Sequence, residues 1–460
     1  MSATIVALAT PNGRSGIGVV RLSGADSLGI TSSLVSDLNF APTPRHAHLT
    51  EILDRRTGEE IDSAVVTYFK TPHSFTGEDV VEISCHGSPV LLRQVIDLCL
   101  AAGARMADPG EFTLRALANG RIDLAEAEAI RDLIDAQTTA AARQAVRQMR
   151  GEFSDRLKPL KDDLLDVIVI LESSIEFVED DLPDMQAENV RNKLLSIRDS
   201  VSKLAETFTV GHLIRDGLRV AIVGRPNVGK SSLFNALLGS ERAIVTDIAG
   251  TTRDQLHERF VVDGVPISLI DTAGLRETQD TVEKIGVERA RKTMADADIV
   301  IAMLDATEEI TREDCEIIES IGDLNNIVAI NKIDKKPAFD IDHLVAAEDS
   351  PLAKIRDKIV PISALTGEGL DDLRHALVHP FGIEDGTTQG FLVTDARHHD
   401  LLSRARDEIG ESLTSLESRM SEEIVLVGLH NALRYLGEIT GETTTEDMLT
   451  RIFSTFCIGK

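Results

Sequence analysis

Gly224-Arg225-Pro226-Asn227-Val228-Gly229-Lys230-Ser231 follows the apolar run Arg219-Val220-Ala221-Ile222-Val223 and opens onto Ser232-Leu233-Phe234-Asn235-Ala236-Leu237. Gly-x-x-x-x-Gly-Lys-Ser between a strand and a helix is the pattern of a P-loop. Gly224 and Gly229 let backbone N–H groups from Asn227 to Ser232 wrap phosphate oxygens. Lys230 supplies charge to the β- and γ-phosphates, and the Ser231 hydroxyl is a Mg²⁺ ligand.

Around this loop, strand-like runs at 219–223, 267–270, 299–304, 327–330 and 359–362 alternate with helical stretches, which predicts a parallel sheet in an α/β domain. Three further motifs sit beside those runs. Asn331-Lys332-Ile333-Asp334 has the form Asn-Lys-x-Asp, and its last carboxylate can accept from both guanine N1–H and N2–H₂. Polar readout of this kind discriminates by roughly 10⁴–10⁵. Ser363-Ala364 stands where a backbone N–H meets guanine O6. In Asp271-Thr272-Ala273-Gly274, Asp271 lies near Mg²⁺ and the Gly274 amide near the γ-phosphate. Gly250-Thr251-Thr252-Arg253-Asp254 reads as the mobile switch, with Thr252 the second Mg²⁺ ligand. The next residue after Gly274 is Leu275. A Ras-like GTPase has glutamine there to orient the attacking water, a role leucine cannot take. Hydrolysis is therefore either very slow or completed by other groups. Arg253 and Arg276 read as structural or phosphate-adjacent rather than as arginine fingers.

The remaining sequence bounds the setting. A chain of 460 residues is long enough for two or three domains. With a net charge of −28, no Trp and two Tyr, it is a poor candidate for autonomous binding to a phosphate backbone or for base stacking on aromatic rings. A nucleic-acid partner would need a local basic patch or a second protein. Cys85, Cys99, Cys315 and Cys457 contain no Cys-x-x-Cys, which argues against zinc and a disulfide framework. His73, His86 and the pair His398-His399 lack ligand spacing and read as structural. The N-terminus has no signal-peptide pattern and no apolar run approaches a membrane span, so the expected location is the cytoplasm.

Residues 1–119 mix β-like runs (5–8, 18–22, 64–69, 80–84) with a helix at 90–102, an α+β pattern. Residues 120–215 turn to helical periodicity, with an acidic run at 176–181 marking a break. The α/β pattern occupies 216–379, and helices return at 395–416 and 422–436 within 380–460. The economical reading is an α/β domain inserted into one discontinuous helical domain.

Against that organisation, four segments carry a resemblance: Ile5-Val6-Ala7-Leu8-Ala9-Thr10 with Gly16-Ile17-Gly18-Val19-Val20-Arg21; Thr76-Gly77-Glu78-Asp79-Val80-Val81-Glu82-Ile83; Pro109-Gly110-Glu111-Phe112-Thr113 with 121–129; and Cys457-Ile458-Gly459-Lys460. Along essentially its whole length the chain resembles the MnmE (TrmE) tRNA modification GTPases, within the TrmE-Era-EngA-YihA-Septin-like translation-factor class. The resemblance implies a homodimer with an N-terminal tetrahydrofolate-binding α+β domain, a discontinuous α-helical domain and an inserted Ras-like P-loop G domain. It also implies work with the flavoprotein MnmG at carbon 5 of the wobble uridine of certain tRNAs. The added group is carboxymethylaminomethyl or aminomethyl, and 5-formyl- or methylene-tetrahydrofolate supplies the one-carbon unit.

By the same resemblance, paired G domains hold K⁺ through Asn227, Thr246, Ile248 and Thr251. Glu283, by itself a helix-start carboxylate, becomes the residue that orients the attacking water. The folate positions carried over are Arg21, Glu82, Arg121 (where other members have lysine) and Lys460. Cys457 is either a reactive thiol or a small apolar residue. Two other classes fit the nucleotide motifs: a ribosome-assembly GTPase, which would bring a basic RNA-binding module and lack 457–460, and a non-hydrolysing scaffold, which Leu275 favours and Glu283 opposes. For the base-reading assignment, Asp334→Asn is expected to shift preference from GTP toward xanthosine triphosphate; competition between the two nucleotides checks it, and unchanged GTP preference would remove Asp334 from that role.

Overall fold

A computed structural model describes residues 3–176, 184–240, 259–270, 297–322, 324–340, 353–383, 390–442 and 446–459. The chain divides into two compact units. One comprises Met1–Arg131, Gln148–Asp155 and Leu436–Lys460; the other Asp132–Arg147 and Arg156–Tyr435.

The first unit is built on a six-stranded sheet of order β3-β4-β5-β2-β1-β6. Its strands are β1 (Ile5–Leu8), β2 (Ser15–Ser23), β3 (Ala47–Asp54), β4 (Glu59–Phe69), β5 (Val80–Gly87) and β6 (Arg105–Met106). Neighbours are antiparallel except β1 and β6. The alternation in β2, β4 and β5 sends Val20, Leu22, Val66, Val81 and Ile83 into one core, covered by the helices Ser27–Leu34 and Pro89–Ala101. Gly18 permits that cover: a Cβ there would stand 2.3 Å from Leu92 Cδ1. The sequence reading finds the helix one residue late and passes over Ser27–Leu34 and β3. β3 is an edge strand with Ala47, Leu49 and Glu51 exposed, so its apolar signal is weak.

Two of the segments carrying the resemblance meet in a buried ion network. Arg115, on the helix Glu111–Ala118, donates to Glu78 Oε2 (2.8 Å), Glu111 Oε1 (2.9 Å) and the Ala3 carbonyl (2.8 Å). Arg105 pairs with the same Glu111. Burial pushes the Glu111 carboxyl up, but the donors of Arg105, Asp108 N–H and Arg115 outweigh it and hold it below its ordinary range. Residues 446–459 close this unit. Phe453 and Phe456 pack with Leu124 and Ala127, while Gly110 (φ 69°) donates to the Cys457 carbonyl at 3.4 Å. Any side chain at Gly110 would meet the Phe453 carbonyl and Phe456 Cβ at 2.9 Å.

The second unit contains a sheet of order β12-β11-β10-β7-β9-β8. Its strands are β7 (Leu218–Val223), β8 (Arg259–Val262), β9 (Val265–Ile270), β10 (Ile299–Asp305), β11 (Asn326–Asn331) and β12 (Ile359–Pro361). All pairs are parallel except β8–β9. The parallel strands are buried on both faces, as crossover helices require: Val220 and Ile222 face the helices Lys230–Ser240 and Leu370–Val378, Ala221 and Val223 the helix Arg312–Ser320. The four-residue β8 adds an antiparallel edge that the sequence reading lacks. The acidic run at 176–181 lies largely outside the described residues, and the helices Glu152–Glu176 and Asp184–Glu206 flank it.

The chain enters β7 from the helix Phe208–Asp216 and reappears at residue 390 against that same helix. Thr207 Oγ1 accepts from Val393 N at 3.0 Å, and Gln144 bonds both the Gly390 carbonyl (2.8 Å) and Leu392 N (3.2 Å). Arg215 pins the return, bridging Asp132 (2.9 Å) and Asp395 (2.6 Å); Asp395 also caps the helix Ala396–Glu417. Burial opposes the Asp395 charge, yet His398 and Arg215 overcome it and hold the carboxyl well below its ordinary 3.8. A folded-state pKa below the unfolded one gives stability that is present above that ordinary value and lost as pH falls toward the folded value. Arg215→Met removes the guanidinium that two carboxylates share and is expected to cost about 3 kcal/mol at pH 7. Urea midpoints against pH check it: the variant starts lower and loses part of the wild-type decline at acid pH.

Candidate nucleotide and cofactor sites

The carboxyl ends of β7, β10, β11 and β12 converge, the position where open α/β sheets bind ligands. Gly224 (φ 151°) and Gly229 (φ 104°) are required there: a Cβ would stand 2.7 Å from the Met303 carbonyl at the first and 2.3 Å from Asn331 Nδ2 at the second. Val228 is buried and fixes the loop, while Ser231 and Ser232 are exposed at the start of the helix Lys230–Ser240. Lys230 Nζ donates to the carbonyls of Gly224 and Arg225, both at 2.7 Å. Burial pulls its ammonium below the usual lysine range, a cost that phosphate oxygens would reverse. A half-buried cation held by carbonyls in a loop bounded by two glycines fits a nucleotide phosphate, and the Ser231 hydroxyl at the helix start fits Mg²⁺.

Asn331 joins three motifs. Its Nδ2 donates to the Val228 carbonyl at 2.8 Å and its Oδ1 accepts from Ala364 N at 3.0 Å. Ser363 Oγ donates to Asp334 Oδ1 at 2.6 Å, fixing the exposed carboxylate assigned to the base. Lys332 Nζ reaches the Asn227 carbonyl at 3.0 Å and pairs with Asp305. Asn227 (φ 66°) and Lys332 (φ 68°) both adopt the left-handed region, strain of the kind kept at functional sites. Asp305 was absent from the sequence reading; the available signal was a carboxylate ending an apolar strand at the ligand edge of the sheet. Burial raises its pKa, but Lys332 and the two Thr307 donors hold it below its ordinary value. Arg225, also unassigned from sequence, pairs with Asp314 (2.8 Å) and Glu308 (3.2 Å) and anchors the loop from outside.

Thr246 to Thr252, Asp271 to Leu275, Glu283, Arg253, Arg276 and Lys460 lie outside the described residues. In the first unit Arg21 and Glu82 are direct cross-strand partners, joined from Arg21 Nε (2.9 Å) and Nη2 (2.8 Å) to Glu82 Oε1. Arg21 Nη1 also donates to the Gly459 carbonyl at 3.2 Å, and the guanidinium lies 5.8 Å from the centre of the buried Phe112 ring. The structure thus brings Arg21, Glu82 and the 457–459 segment together. Arg121 is exposed, its Cγ 3.3 Å from where a Gly77 Cβ would be. Cys457 is exposed, whereas burial pushes the Cys85 and Cys99 thiols up to about 12. An acceptor carboxylate oriented by arginine fits a pterin donor edge. His86 bonds Asp62 and His398 is buried, in keeping with structural roles.

Family comparison decides what this arrangement serves. Residues 4–121 match the family "GTP-binding protein TrmE N-terminus" and residues 124–457 the "MnmE helical domain". The tRNA modification GTPase MnmE of Koribacter versatilis (strain Ellin345) is 45% identical over 460 residues, 99% of each chain. The chain belongs to the MnmE (TrmE) family. The MnmE of Aquifex aeolicus (strain VF5) is 44% identical over 461 residues, 100% of both chains. A solved structure, the G domain of the T. maritima FeoB iron transporter, aligns with 36% of this chain and 98% of its own at 30% identity and TM-score 0.27, too low to carry an argument. As an MnmE-family member the protein is a GTP hydrolase of tRNA modification, with an MnmE-type N-terminal domain, a helical domain and a P-loop G domain. Among the described residues no helix is long and apolar enough to cross a membrane. Replacing Asn331 with Ala in this MnmE-family protein is expected to weaken GDP binding about ten- to a hundredfold, since the buried Val228 carbonyl loses its donor at a cost of about 1–3 kcal/mol; titration with a fluorescent GDP analogue checks it.

Proposed function

We propose that the protein uses GTP hydrolysis to drive modification of the wobble uridine in certain tRNAs, acting with MnmG to add carboxymethylaminomethyl or aminomethyl at carbon 5. The observation carrying this reading is the Asn331 junction, which joins the phosphate loop to the segments read as guanine-selecting, in a chain that matches MnmE relatives over 99% of their length. In this reading Lys230 holds the β- and γ-phosphates, Asp334 with the Ala364 amide selects guanine, and Ser231 with Thr252 would hold Mg²⁺ beside Asp271. Thr272, Ala273 and Gly274 frame the γ-phosphate, as Asp247, Ala249 and Gly250 frame it from the switch. Glu283 orients the attacking water in place of the residue that Leu275 replaces.

Asn227, Thr246, Ile248 and Thr251 would hold K⁺ when two G domains of a homodimer meet, and that cation supplies the charge compensation of an arginine finger. Glu82 accepts from the pterin, while Arg21, Arg121 and Lys460 face the anionic parts of a tetrahydrofolate. When bound, that cofactor supplies the one-carbon unit. Cys457 is the exposed thiol nearest in sequence to Lys460 and is assigned to the modification chemistry. Residues 1–119, 120–215 with 380–460, and 216–379 form the folate-binding, helical and G domains of a cytoplasmic enzyme.

Two measurements test the reading. GTP hydrolysis in KCl is expected to exceed that in NaCl by at least tenfold, and equal rates would remove the K⁺ assignment. Mass spectrometry of tRNA nucleosides from a deletion strain is expected to lack the carbon-5 modification, with restoration by the wild-type gene and not by a Glu283→Ala copy.

A further inference from the structure

We propose that a cleft between residues 44–45 and 70–73 of the first unit is an RNA subsite that takes one unpaired nucleotide with its phosphate. The cleft has a volume of about 490 Å³ and is lined by Pro44, Arg45, Lys70, Thr71 and His73. That volume lies within the range of small-ligand sites, at roughly 300–1,000 Å³.

Charge sets this place apart. The chain carries 76 Asp and Glu in 460 residues, yet segments 40–50 and 69–77 contain Arg45, His46, His48, Lys70 and His73 and no carboxylate. Among the described residues neither the Lys70 ammonium nor the Arg45 guanidinium forms an ion pair. In a protein of net charge −28, these segments offer a polyanion two cations and no carboxylate of their own.

The cleft is held in shape. Arg45 sits at φ 63°, a backbone region that side chains other than glycine rarely adopt. Its N–H donates to the Tyr68 carbonyl at 2.7 Å, and its Nη2 spans the cleft to the His73 carbonyl at 2.9 Å. On the opposite wall Thr71 N donates to Asp79 Oδ1 (2.9 Å), Thr71 Oγ1 to the Gly77 carbonyl (2.8 Å) and His73 N to the Lys70 carbonyl (2.9 Å). Asp79, the carboxylate this wall contacts, also takes the Tyr68 hydroxyl at 3.0 Å.

These features favour a nucleotide over an isolated phosphate. A guanidinium plane fixed at one end offers a stacking face for a base, and the Pro44 ring offers apolar contact, while Lys70 meets the phosphate. Bases inside a duplex cannot present that face, so the ligand is a loop or single strand. The assignment rests on the reading that this protein contacts tRNA directly.

The test uses the full-length chain, a fluorescent anticodon stem-loop RNA and a series of KCl concentrations. Arg45→Glu/Lys70→Glu is expected to lower affinity about tenfold and make the log–log salt slope shallower by about 1–2. Arg45→Ala/Lys70→Ala should fall between it and wild type. Arg198→Glu/Arg312→Glu makes the same net charge change on exposed side chains and should stay within twofold of wild type. GTP affinity and melting temperature, unchanged in all three, show that the fold is kept. RNA binding by wild type that the cleft variants lower no more than the control overturns the cleft alone. Absence of RNA binding by wild type overturns the direct-contact reading and the cleft with it. Inorganic phosphate that binds wild type and not the cleft variants, with RNA affinity unchanged in them, assigns the cleft to a small phosphate and overturns the RNA proposal.

Discussion

One buried side-chain amide, that of Asn331, is the joint on which the nucleotide site depends. It sits at the end of β11, is 2% exposed, and uses its donor on the P-loop and its acceptor on the segment after β12. Away from water each bond is stronger and each loss more costly. The amide therefore fixes the distance between the phosphate-binding and base-reading ends of the site. Gly229 completes the joint by leaving room for that amide. The parallel sheet makes the arrangement possible, because only parallel strands bring several carboxyl ends to one edge.

Local spacing was legible in the sequence, and contacts between distant segments were not. The strands of the second sheet announced themselves as apolar runs, and the P-loop as a pattern eight residues long. β8 stayed hidden because four residues at an antiparallel edge give too short a period to detect. Asp305 was hard to assign from sequence, since its partner Lys332 lies just past the end of β11 and nothing in the spacing pairs them. The segments that carry the family resemblance divide in a way sequence cannot show. Arg21 and Glu82 pair with each other across two strands, whereas Glu78 and Glu111 are spent on Arg115 inside the domain. A signature records what a fold needs as faithfully as what its chemistry needs.

The acidity of the chain has a similar double reading. As an average it argues against polyanion binding, and over most of the surface that argument stands. Carboxylates are unevenly spread, and two segments far apart in sequence meet at one end of β3 and β4 without any. Net charge describes the long-range field; a patch of this size is decided by which residues the turns bring together.

The docking of Gly459 beneath Arg21 and of Cys457 against Gly110 sets a clock on biosynthesis. The acceptor surface is made near the start of translation, and the segment that fills it emerges after the other 445 residues. The acceptor surface is complete only at Ala127, so at about 5–20 residues per second the wait to residue 446 is roughly 15–65 s. Throughout that interval the nascent domain presents an open groove edged by apolar residues, with Phe453 and Phe456 still unmade. The Arg21–Gly459 contact thus waits for residues far along the chain, and a chain cut before residue 453 lacks the two rings that pack on Leu124 and Ala127.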